Sequence, residues 1–277
     1  MEQTPIDKLP LLDETSAELY DLVLRLHPDG ITYTLSRTRD QEIVGCDRVF
    51  FVPTNEGVGY TTRLSDLIYA YSFLPLPYHS VRIAYDASAF VLVPPGMPIR
   101  ESEEEWLSMA LPIAVSPQDI GYTKTYSIAS ECPTLLAAWE RDAFAFLRRT
   151  YPYAEIVPYV VPTLQEGLSR SRVIEERVVA LLVSPLALNI LVLDRGQIRF
   201  ANRFALIGGS DPEAVTHEIL YYLGSVWQQM GEEALAREEL LLYHTTSQEM
   251  ADKVAAALDK ILKPLGHTLH SSSYSPF

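Results

Sequence analysis

Residues 183–209 read VSPLALNILVLDRGQIRFANRFALIGG, and the rest of the chain is best read outward from them. A strand ends at Val183, and the turn Ser184-Pro185-Leu186-Ala187 leads to a second apolar strand over 188–194. The bend Asp194-Arg195-Gly196 opens a third strand over 197–207, which runs into Gly208-Gly209. A helix over 212–230 follows, with Val215, Ile219, Leu223, Val226 and Trp227 on one face. Pro212 suits a first helical position, with Ser210 or Asp211 as its cap.

The same order occurs earlier in the chain. Strand runs over 20–26, 31–36 and 42–52 are punctuated by His27-Pro28-Asp29-Gly30 and by a polar bend over 37–41. Setting Leu26-His27-Pro28 over Val183-Ser184-Pro185 aligns Ile31-Thr32 with Leu188-Asn189. Each half continues through helix and strand patterns: helices over 64–72, 101–111, 134–150 and 164–176, and strands over 81–85, 89–93, near 124–129 and over 155–161. Beyond 230, a strand over 239–243 precedes a helix over 247–263 headed by the capping-box pattern Thr246-Ser-Gln-Glu249, and Ser271-Ser272-Ser273 reads as a frayed tail. The expected fold is α/β, with two similar lobes of β-β-β-α-β-α topology arising from an internal duplication. Residues 1–17 are expected to be a flexible leader, 18–170 the first lobe and 171–277 the second.

Bulk properties narrow the partners. The 277 residues are 48% hydrophobic and 21% charged, the profile of a folded chain. With 22 Lys+Arg against 36 Asp+Glu, the formal charge of -14 disfavours nucleic acid and anionic lipid as partners. Cys46 and Cys132 are too few for a disulfide framework or a thiolate metal cluster. Without a signal pattern or an apolar run approaching the ~20 residues of a membrane span, the chain is expected to be cytoplasmic.

The hairpin over 184–194, Phe200-Ala-Asn-Arg203, Ile207-Gly-Gly209 and the long helix from Pro212 resemble the actin-like ATPase superfold of sugar kinases, Hsp70 chaperones and actin. They are most similar to a bacterial branch holding pilus-assembly and type II secretion proteins with actin-like cytoplasmic domains. LYDLVLRLHPDGITYTL (19–35) and LLAAWERDAFAFLRRTYP (135–152) look like an uncharacterised bacterial family assigned that fold. In active members of the superfold, the resemblance implies, each lobe's first hairpin turn carries Asp-x-Gly. The glycine admits phosphate to the backbone N–H groups, and the aspartate holds Mg or orients water.

Neither turn of this chain keeps that pattern. The first has an adjacent Asp29-Gly30 behind a proline; the second, Ser184-Pro185-Leu186-Ala187, has no acid and no glycine, and each proline removes a donor. The expectation is therefore a non-catalytic actin-like scaffold or protein-binding module, without cofactor or metal. Its partner would be a protein, a second copy of the chain included. The alternative is a divergent Mg-ATP-binding protein using Asp29, Gly30, Gly208 and Gly209.

Other chemistry-bearing residues read as structure. His27, His79, His217, His244, His267 and His270 show no metal-ligand spacing, and His267 and His270 are expected in a solvated tail. Glu101, Glu103, Glu104 and Glu105 suit the first turn of a helix. Tyr69, Tyr71, Phe73 and Tyr78, and Tyr151, Tyr153 and Tyr159, lie among prolines and are the expected partner surface if they are not core, with Tyr274 and Phe277 a lesser candidate.

Overall fold

A computed structural model describes residues 12–53, 57–97, 103–108, 122–128, 133–174, 176–209, 211–231 and 238–273. In chain order the elements begin α1 (Glu14–Ala17), β1 (Tyr20–His27), β2 (Gly30–Arg37), β3 (Ile43–Phe50), α2 (Tyr60–Ala70), β4 (Ser80–Tyr85) and β5 (Ala89–Val93). They continue with α3 (Glu103–Ser108), β6 (Tyr122–Ser127), β7 (Thr134–Trp139), α4 (Arg141–Thr150), β8 (Glu155–Pro158) and α5 (Val160–Ile174). The last are β9 (Arg177–Ser184), β10 (Ala187–Asp194), β11 (Gln197–Ala205), α6 (Pro212–Met230), β12 (Glu239–His244), α7 (Gln248–Leu262) and β13 (Thr268–Ser273). The chain divides into two compact units, one of residues 1–88, 118–123 and 138–159 and the other of 89–117, 124–137 and 160–277.

Each unit is built on a five-stranded sheet, and the two sheets have the same order. In the first it is β3-β2-β1-β4-β8, in the second β11-β10-β9-β12-β13. In both, the first three strands are antiparallel and the remaining two run parallel to the central first strand. The match extends to single atoms. His27 pairs with Gly30 and Ser184 with Ala187 across two-residue turns. The Phe51 N–H donates to the Asp29 carbonyl at 2.8 Å, and the Leu206 N–H donates to the Leu186 carbonyl at 3.0 Å. A third, three-stranded sheet runs β5-β7-β6.

Side-chain alternation explains the first sheet. Leu22, Leu24 and Leu26 of β1 stand opposite Leu35, Tyr33 and Ile31 of β2, and all six are buried on one face. β9 and β10 instead are apolar almost without interruption, because both of their faces are covered. One face packs Val179, Leu181, Leu188, Ile190 and Val192 against Val215, Ile219 and Leu223 of α6 and Val254 and Leu258 of α7. On the other face α5 comes close enough that a Cβ on Gly167 would sit 2.2 Å from Leu193 Cδ1.

Three expectations are corrected. Residues 134–150 are not one helix: Thr134–Trp139 is strand β7, and α4 starts at Arg141. Leu135 to Trp139 are buried without a break, a pattern that a covered strand and a buried helix share. Glu140, at φ -60 and ψ 120, is the non-helical residue that separates them. The 271–273 tail is not frayed but belongs to β13, which adds in parallel to β12. Ahead of α7 the cap is Ser247, whose hydroxyl accepts the Met250 N–H at 3.3 Å, so Thr246 does not head a capping box. The 101–111 helix is seen as Glu103–Ser108, and Cys132, Ser210, Tyr274 and Phe277 lie outside the described residues, as do residues 1–11 of the expected leader.

Candidate functional site

In open α/β sheets, ligands are received outside the carboxyl ends of the parallel strands. In the first unit that edge carries the β1–β2 turn. Asp29 is not a free carboxylate there: Arg48 of β3 donates Nη2 to its two oxygens at 2.9 and 3.1 Å. Gly30 serves strand packing, because a Cβ on it would lie 2.1 Å from the Val49 carbonyl oxygen. His27, buried beside the turn, shares a 2.9 Å hydrogen bond with Thr32 Oγ1 through Nε2, while its Nδ1 has no partner among the described residues. Burial first, then the positive charge of Arg48, pushes its pKa down to about 3, so the ring is neutral.

The second unit places three segments at this edge. The β9–β10 turn is closed by the Ser184 hydroxyl, which donates to the Ala187 carbonyl at 3.1 Å, and Leu186 at its tip is 63% exposed. The β12–α7 connection, His244-Thr245-Thr246-Ser247, contains no glycine and begins with a buried histidine. The Gly208-Gly209 loop has the form of an anion nest, with Gly209 at φ +60. The two N–H groups that lead into it, however, are engaged by the protein's own carboxylate. Glu218 of α6 accepts the Ile207 N–H at 3.0 and 3.2 Å and the Gly208 N–H at 3.3 Å. A Cβ on Gly208 would lie 2.9 Å from the Val215 nitrogen, so this glycine lets the loop lie against α6. Asp211 is the cap, accepting the Glu213 N–H at 3.1 Å.

The four residues of the nucleotide alternative thus have structural employment: Asp29 on Arg48, Gly30 under β3, Gly208 against α6 and Gly209 in a left-handed turn. Glu218 was missed as a site residue because it lies ten residues beyond the loop it satisfies. Its position facing back along α6 was the available signal.

His267 and His270 are not in a solvated tail. His267 is buried with its ring stacked on Trp227, and His270 lies on β13 with Nε2 2.9 Å from Glu239 Oε1. His79 and His217 are exposed. Among the described residues, no three His, Cys, Asp or Glu side chains are grouped to hold a metal ion, and no helix is long and apolar enough to cross a membrane. Of the aromatic residues offered as a partner surface, Phe73, Tyr78, Tyr151 and Tyr159 are buried. Tyr69 and Tyr153 are exposed, the latter completely.

Two α/β units of one strand order, each led by an antiparallel hairpin pair and completed by parallel strands, define an actin-like ATPase fold. A protein of that fold and of unknown function from Bacteroides thetaiotaomicron VPI-5482 superposes with a TM-score of 0.73 at 20% identity, covering 94% of both chains. The PilM–PilN type IV pilus biogenesis complex contains a chain that matches with a TM-score of 0.51 at 15% identity, covering 94% of this chain and 89% of that one. The chain belongs to the DUF3822 family of proteins of unknown function, whose model matches residues 10–260. No curated protein matches it.

Proposed function

We propose that this protein is a non-catalytic actin-like scaffold, or protein-binding module, that works in the cytoplasm without nucleotide or metal. The observation that carries the reading is the Glu218 carboxylate on the Ile207 and Gly208 N–H groups. A phosphate would have to displace a tethered anion from those donors and would then sit beside Asp211. The first unit supports the same conclusion, since the Asp29 carboxylate is paired with Arg48. The PilM–PilN complex shows that a protein of this fold assembles with a protein partner, and the exposed Tyr69 and Tyr153 suit such a contact.

A thermal-shift titration with ATP and ADP, with and without Mg, tests the reading. A ligand that binds only the folded chain contributes about 2.7 kcal/mol at a hundred times its dissociation constant, which is readily visible. No shift is expected up to millimolar nucleotide. A magnesium-dependent shift would replace the scaffold with the Mg-ATP alternative.

A further inference from the structure

We propose that His267 makes the seating of β13 on β12 sensitive to acid, so that protonating this imidazole loosens β13 while the rest of the second unit stays folded. The His267 ring lies nearly parallel to the Trp227 indole, with centroids 5.0 Å and planes 13° apart. The residue is buried, and among the described residues neither ring nitrogen has a hydrogen-bond partner. A neutral imidazole leaves only one N–H unmet in that position. An imidazolium brings two donors and a full charge into the same apolar contact.

The charged groups around it are already committed. Glu238 accepts the Trp227 Nε1–H at 2.9 Å through one oxygen and Arg177 Nη1 at 3.1 Å through the other. Glu239 is held by Nε and Nη2 of Arg170 from α5 and also meets His270. A protonated His267 is therefore best stabilised by leaving the stack for water, in line with the downward shift that burial imposes on its pKa.

What the ring holds in place is the start of β13. The His267 N–H reaches the Leu262 carbonyl only at 3.3 Å and the Thr268 N–H reaches Glu238 O at 3.4 Å, just after the left-handed cap at Gly266. Beyond the stack, Leu269 is the β13 side chain packed on the apolar core. His270 of β13 is half exposed and meets a Glu239 carboxylate that Arg170 already holds. His244 stands at the opposite end of β12.

Hydrogen exchange of the 268–273 amides at pH 7.5 and 5.5, corrected for intrinsic rates, tests the proposal. A histidine that takes its proton more readily when released gives a rise of up to about tenfold in β13 opening over that interval. The β9 and β10 amides should keep their protection, which separates local loosening from global unfolding. His267→Phe, which preserves a flat ring on Trp227 but takes no proton, should abolish the response, and His270→Gln should retain it. Unchanged β13 protection in the natural protein, or a full pH response in His267→Phe, would overturn the proposal.

Discussion

Replacing Glu218 by alanine puts the central contact of the second unit to a quantitative test. The carboxylate serves two backbone donors, Ile207 at 3.0 and 3.2 Å from its two oxygens and Gly208 at 3.3 Å. Both donors lie near the surface, where water takes over part of the lost bonding. Each should therefore cost about 0.5–1 kcal/mol, below the usual range for hydrogen bonds to a charged group. Alanine's better helix propensity offsets a few tenths of a kcal/mol, leaving a net loss of about 1 kcal/mol. For a unit of this size that corresponds to a fall of about 2–4 °C in the melting midpoint. Differential scanning calorimetry and urea titration should agree on it, and Glu218→Gln, with one acceptor and no charge, should fall between variant and natural protein. Millimolar Mg-ATP should still give no stabilisation, since Pro185 offers no N–H at the neighbouring turn. A variant as stable as the natural protein would show that the contact is not made in solution. A variant that gained a magnesium-dependent shift would show Glu218 to be a removable plug in a working nucleotide site.

Further perturbations test glycine packing in both units and a buried histidine in the first. Gly30→Ala should cost about 3 kcal/mol or more, because its Cβ would meet the Val49 oxygen and force β2 from β3, whereas Gly224→Ala in α6, with nothing within 4 Å, should stabilise by about 0.5–1 kcal/mol; urea midpoints read both. Folding stability should also fall in acid through His27, whose pKa of about 3 in the fold lies below its ordinary value of 6.5. The unfolded chain then binds the proton that the fold refuses, so stability is complete above pH 6.5 and declines toward pH 3, by about 2 kcal/mol between pH 7 and 5. His27→Gln should flatten that part of the curve, and an unchanged slope in the variant would exclude His27 as its source.

The common strand order of the two units was legible because it is written in two signals at once. Prolines at 28 and 185 mark equivalent turns, and the apolar runs on either side have strand length. The α6 face was equally plain, since Val215, Ile219, Leu223 and Val226 recur at helical spacing and form one buried stripe. Residues 134–139 misled for the opposite reason: Leu-Leu-Ala-Ala-Trp is buried on every side and carries no period to read. β13 escaped notice because Thr-Leu-His-Ser-Ser-Ser is polar, and its place is set by backbone pairing with β12 rather than by apolar side chains. The site was half legible. The absence of an Asp-x-Gly turn was visible in the residues, but the engagement of Asp29 by Arg48 and of the Gly208 loop by Glu218 depends on contacts 19 and ten residues apart.

The bonds from Phe51 to the Asp29 carbonyl and from Leu206 to the Leu186 carbonyl have a consequence for how such a protein can diverge. Both fasten a hairpin tip through main-chain oxygen, an atom that every residue type supplies. That fastening does not depend on which side chain a tip residue carries, so substitution there can proceed while the strands stay in register. Chemistry housed at those tips can be lost, altered or regained in a lineage at little structural risk. The glycine beneath the neighbouring strand, where no Cβ fits, has no such liberty.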